Sequence, residues 1–130
     1  MGDMPNGYKQ RLALYRKIER LRQFRVVCFV TGDRPNMQAQ IANDAVDLFG
    51  DHLDALFPTK RISLILYTLG GATLAAWNLV NMLRMFCDEL EIIVPNKARS
   101  AGTLMCLGAD KIIMRSRLRS AQLTLQSTTL

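Results

Sequence analysis

The chain has no apolar run near the roughly 20 residues that a bilayer-spanning helix needs. Its first ten residues also lack the apolar stretch of a secretory signal. Cytoplasm is therefore the expected location. Cysteine is scarce: Cys28, Cys87 and Cys106 form an odd set without metal-ligand spacing, each inside an apolar stretch. That pattern predicts buried, reduced thiols, with neither disulfides nor a metal site. Acidic residues are missing from 115–130 and few in 1–34, which hold 3 against 8 Lys and Arg. The middle, 35–114, carries 8 acidic and 6 basic residues. The net charge of +6 thus belongs to the ends. A basic groove through the fold is not expected, and nucleic acid is an unfavoured partner.

What remains is the composition of one globular domain, 49% hydrophobic and 22% charged over 130 residues. Three parts are expected: a basic amphipathic helix in 1–23, a core in 24–114 and an irregular polar tail in 115–130. Helical spacing of Leu14, Ile18 and Leu21 beside Tyr8, Leu12 and Tyr15 predicts the first helix over Tyr8 to Arg22. Phe24 to Thr31, rich in β-branched and aromatic residues, predicts a buried strand before Gly32-Asp33-Arg34-Pro35. A helix is expected over roughly Met37 to Phe57, capped by Asn36 and stopped by Pro58. It places Ile41, Ala45, Leu48, Phe49 and Leu56 on one side and Asp44, Asp47, Asp51 and Asp54 on another. Those aspartates read as a solvated face that could pair with the basic first helix, and a cation site there is disfavoured.

Further strands are expected at Ile62 to Tyr67, Leu90 to Val94 and Lys111 to Met114, alternating with helices at Ala72 to Phe86 and Ala101 to Leu107. Strands that read as continuous apolar runs between helices indicate an α/β fold with a mostly parallel sheet, or a related spiral of β-β-α units. The helix Ala72 to Phe86 is apolar on more than one side, as expected if a second subunit covers it.

In α/β sheets chemistry gathers where strand ends meet helix starts. Two such junctions are unusual here. Thr68-Leu69-Gly70-Gly71-Ala72 has paired glycines that let a substrate approach the backbone, and the Gly71 N–H could stabilise an oxyanion. Pro95 to Thr103 leaves Ser100 at a helix start between small residues, with the Ala101 N–H beside any carbonyl it attacked. Each has a plainer reading: a turn for the glycines, a helix N-cap for Ser100.

The stretch Phe24 to Met114 resembles the Clp/crotonase superfamily, carried by Thr68-Leu69-Gly70-Gly71, by Ala98-Arg99-Ser100-Ala101-Gly102-Thr103 and by Leu107-Gly108-Ala109-Asp110-Lys111-Ile112-Ile113-Met114. Within it the likeness is to the serine dehydrogenase proteinase family, relatives of signal peptide peptidase A. The resemblance implies a serine endopeptidase with Ser100 as nucleophile, Gly71 and Ala101 as oxyanion hole, and an extended polypeptide bound along the edge near Gly70. It implies a homo-oligomer and no cofactor.

A Ser-Lys pair is the expected form, because the one histidine, His52, lies far upstream of the serine. Lys97 sits in the same loop as Ser100 and Lys111 begins a strand, so both are expected to be surface residues. Relatives continue with further conserved segments where this sequence has Arg115-Ser116-Arg117-Leu118-Arg119. The C-terminal part with its base is accordingly expected to be missing or replaced, and activity of this chain to be low. Two alternatives stay open: an acyl-CoA hydratase or isomerase on the same fold, and a non-catalytic binding or assembly fragment.

Overall fold

The computed structural model describes residues 7–32, 39–56 and 59–114. The expected cap at Asn36, the helix end at Phe57 and Pro58, and the tail 115–130 lie outside the described residues.

Four short segments rich in Val, Ile and Leu pair side by side: β1 (Arg25–Val30), β2 (Arg61–Tyr67), β3 (Glu89–Val94) and β4 (Lys111–Met114). All three pairings are parallel, in the order β1-β2-β3-β4. Parallel neighbours require a crossover from the end of one strand back to the start of the next. Helices α2 (Asp44–Leu56), α3 (Thr73–Phe86) and α4 (Ala101–Leu107) supply the three crossovers. Sequence periodicity gave α4 and β4 to the residue and α3 to within one.

Alternation along each strand decides which side is dry. Ile62, Leu64 and Leu66 of β2 and Leu90, Ile92 and Val94 of β3 share a buried cluster with Phe49 and Leu53 of α2, Leu79 and Leu83 of α3, and Met105 of α4. Each of these side chains contributes about 1.5–3 kcal/mol on leaving water, so this layer holds the fold together. The other face is covered by α1 (Tyr8–Arg22), which has no buried residue of its own. Its last turn is fixed electrostatically: Arg22 donates from Nε and Nη2 to the two carboxylate oxygens of Glu91, at 3.0 and 2.6 Å. Glu91 is fully buried, and this fork satisfies both of its oxygens.

Three expectations need correction. The second helix begins at Asp44, not near residue 37. Ile41 lies instead in an extended segment, bridged in parallel to Gly71, with its N–H given to the Gly70 carbonyl at 2.9 Å and its carbonyl taking the Ala72 N–H at 2.8 Å. Those two bonds outweigh a helical pattern that Ile41 only nominally continues. Next, β1 is an edge strand among the described residues and is only partly covered. Hence Cys28 is exposed where a buried thiol was expected, while Cys106 is buried and Cys87 half-buried. Finally, α1 lies across the sheet from α2, so the aspartates of α2 do not pair with it within the chain.

Candidate active site

The sheet does not stop at its strands. Beyond β2 and β3, the Thr68 N–H donates to the Lys97 carbonyl at 3.1 Å and the Arg99 N–H to the Thr68 carbonyl at 3.0 Å, forming a further parallel bridge between Thr68 and Ala98. On the other side, Ile41 bridges Gly71. Three loop segments, 39–41, 68–71 and 97–100, therefore extend the order β1-β2-β3 past the strand ends. Gly70, Gly71 and Ser100 are brought to one place by ordinary ladder bonds.

Thr68 is the centre of this arrangement. Fully buried, its Oγ1 accepts the Gly70 N–H at 3.0 Å and the Thr31 hydroxyl at 2.9 Å. Its methyl Cγ2 lies where a β-carbon on Gly102 would stand. Glycine at 102 thus lets the first turn of α4 lie directly against Thr68. Thr103 adds a second anchor, donating its hydroxyl to the Ala98 carbonyl at 3.2 Å.

Gly70 and Gly71 both adopt positive φ, 119° and 152°. A β-carbon on Gly70 would stand 2.7 Å from Ser100 Cβ and 3.2 Å from Ser100 Oγ, and one on Gly71 would strike the Ile41 backbone. The glycines are therefore required by close approach on both sides, and the Gly70 backbone is in contact with Ser100. Gly71 takes no part in the bridge to Ile41 through its own N–H, since that ladder uses Gly70 and Ala72. Among the described residues its N–H finds no acceptor. The Ala101 N–H likewise has none, whereas Gly102 and Thr103 donate back to the Arg99 and Ser100 carbonyls at 3.0 and 2.9 Å.

Ser100 itself has φ 55° and ψ −122°, a combination that costs a side-chain-bearing residue about 1–3 kcal/mol. It occupies the N-cap position of α4 but makes no side-chain capping bond. The side chain is exposed. A strained serine on a sharp strand-to-helix turn, followed by a backbone N–H that has no acceptor among the described residues, has the form of a nucleophile elbow.

His52 and Lys111 lie away from Ser100. His52 is in the second half of α2 and lines a groove against Val26 to Phe29 of β1. Lys111 begins β4 opposite Glu91, at the end of the parallel sheet away from Ser100. The Lys97 amine stands 5.7 Å from the centre of the Tyr67 ring, a cation–π geometry. Among the described residues no three His, Cys, Asp or Glu side chains gather as a metal site would need.

A family model described as ClpP-like SDH-type serine proteinase matches residues 53–121, more than half of the chain. The chain belongs to that family. The matched segment contains both the Gly70-Gly71 and the Ser100 junctions, and the parallel α/β architecture fits a ClpP-like member. Two uncharacterized proteins of Methanocaldococcus jannaschii are similar to it. One is 49% identical over 55 residues, covering 42% of this chain and 19% of that protein. The other is 40% identical over 53 residues, covering 41% and 18%. The aligned stretches thus span less than a fifth of these relatives' length.

From sequence, Thr68 and Gly102 appear only within the motifs that carry the resemblance, Ile41 only on a helix face, and Thr31 only at a strand end. One signal was present: a threonine two residues before a glycine can accept that glycine's N–H in a side-chain turn. Nothing local marks Ile41, whose partner is 30 residues away.

Proposed function

We propose that this chain carries the nucleophile and oxyanion hole of a serine endopeptidase. The observation that carries the reading is the positive-φ backbone of Ser100, exposed at a strand-to-helix turn and touching Gly70. In this mechanism Ser100 Oγ attacks a peptide carbonyl, and the developing negative charge is received by the N–H groups of Gly71 and Ala101. Each such donor contributes about 10²–10³ in rate in comparable sites. The tetrahedral adduct collapses by breaking the C–N bond as the base passes the Ser100 proton to the departing amine, leaving an acyl ester on Ser100; water, giving its proton to the same base, then releases the acyl part as a carboxylic acid and returns the Ser100 hydroxyl. Gly70 offers the adjacent backbone edge to an extended substrate, which would dock as an added strand.

The proton from Ser100 goes to a lysine amine in this reading, because His52 stands over β1. A desolvated amine is the side-chain base able to replace imidazole near neutral pH. The N–H groups of Gly71 and Ala101, without an acceptor among the described residues, support the oxyanion assignment. Membership of a serine proteinase family supports polypeptide as the substrate class.

An alkyl fluorophosphonate tests this directly. Intact-mass analysis should show a single adduct on Ser100, absent in Ser100→Ala. No adduct on the parent chain, or one that survives the substitution, refutes the assignment.

A further inference from the structure

Helix α2 carries an apolar seam that is exposed among the described residues. Leu48, 62% exposed, and Ala55 lie seven residues apart, about 10.5 Å along the axis at 1.5 Å per residue. Beside them a groove of about 470 Å³ runs between α2 and edge strand β1, lined by Val27, Phe29, Leu48, Phe49, His52 and Ala55 among others. Asp44, Asp47, Asp51 and Asp54 flank the seam, and none forms an ion pair among the described residues. Carboxylates at i,i+3 and i,i+4 repel one another by about 0.2–0.5 kcal/mol per pair. Asp44 and Asp47 stand in the first turn, where the helix dipole favours them; Asp51 and Asp54 lie beyond it and carry a local cost that no ion pair among the described residues relieves.

Helix α1 presents the complement. Leu14 and Leu21, 54% and 74% exposed, are also seven residues apart, on a stripe beside the half-buried side chains of Leu12, Tyr15 and Ile18. Lys9, Arg11, Arg16, Lys17 and Arg20 are exposed and form no ion pair among the described residues, whereas Arg22 and Glu19 are committed to Glu91 and Arg25. Seam spacing and charge sign thus match between two helices that lie on opposite faces of one sheet and do not meet within it.

We infer that the α2 face is a docking surface for α1 of a second copy of this chain. The contact is heterologous: each copy gives α1 to one neighbour and receives α1 from another. The two seams interdigitate and the aspartates face the lysines and arginines, giving an association that salt weakens. It involves neither Ser100 nor the glycine junction, so Ser100→Ala associates like the parent chain.

Sedimentation velocity of the whole chain tests this. In 50 mM NaCl the chain self-associates with concentration, and 500 mM NaCl weakens this about tenfold or more. Asp51→Lys with Asp54→Lys abolishes association; both sites lie in the second half of α2, where cations suit the helix dipole. Lys17→Glu with Arg20→Glu abolishes it equally. Mixing these two double variants restores it, since each then offers the charge the other lacks. Circular dichroism verifies that both remain folded. A parent chain that is monomeric at all salts, an α1 reversal without effect, or a mixture that stays monomeric overturns the inference.

Discussion

Gly102→Ala is the substitution that most directly probes how the two junctions are held together. The new β-carbon overlaps Thr68 Cγ2. Thr68 cannot swing aside, because its Oγ1 holds the Gly70 N–H and the Thr31 hydroxyl and its backbone is bonded to both Lys97 and Arg99. Forcing one methyl into such a site costs about 1–3 kcal/mol, while replacing glycine by alanine inside a helix returns about 1 kcal/mol. The net expectation is a loss of up to about 2 kcal/mol, or up to roughly 8 °C in Tm for a domain of this size.

The partner substitution Thr68→Ser removes Cγ2 and keeps Oγ1, at a cost of about 1 kcal/mol. In the double variant the overlap is gone, so its stability should equal or exceed that of Thr68→Ser alone. Urea denaturation of all four proteins gives the coupling energy, expected at about 1–3 kcal/mol. Simple additivity would refute the claim that residue 102 is glycine because of Thr68. Fluorophosphonate labelling should follow the same pattern, slowed in Gly102→Ala and recovered in the double variant, because displacing α4 moves Ser100 away from Gly70.

Two other outcomes are expected. Ser100→Gly releases the positive-φ strain and, after the entropy glycine adds to the unfolded chain, should stabilise by about 0.5–1 kcal/mol; thermal unfolding that finds it no more stable than Ser100→Ala would refute the strain. Burial pushes the Cys106 thiol up to about 12 from 9.0, so it stays protonated when folded while the unfolded chain ionises above pH 9. The stability this group contributes is therefore intact below pH 9 and declines toward pH 12, by at most about 1.4 kcal/mol per pH unit; urea midpoints of Cys106→Ala should show a shallower decline, and an unchanged slope would refute the assignment.

Elements whose identity rests on local periodicity were legible in the sequence. Helices α1 and α4 and strand β4 begin and end where the apolar spacing and turn residues place them. The start of α2 was not, because Ile41 and Ala45 are spaced as a helix would space them while the bonds that hold Ile41 extended come from Gly70 and Ala72. Pairing across 30 residues leaves no trace in a window of a few. Cys28 misleads for a related reason: its neighbours are apolar, but β1 lies at an edge and only α1 covers its outer face. The basic first helix and the acidic second one were visible as counts, yet their separation on opposite faces of the sheet depends on where α1 folds back.

The Ser100 junction shows how a sequence can give a position without giving its conformation. Small neighbours and the preceding Pro95 mark a strand-to-helix turn, and that much could be read. Two uses of the serine were then open, cap or nucleophile, and they require different backbones. A capping serine sits in the extended region and turns its oxygen onto the helix. Ser100 has φ 55° and makes no capping bond, so it bears backbone strain without the stabilisation a cap returns. Serine carries no sequence mark of positive φ, as glycine does, so this feature was not legible. Strain of this kind persists only where the surroundings impose it. Here the imposition is identifiable: Thr68 fixes the loop from one side, and α4, admitted by Gly102, fixes it from the other. Cap stability does not account for a residue held so, whereas the nucleophile role proposed above does, since it requires the hydroxyl exposed beside Gly70.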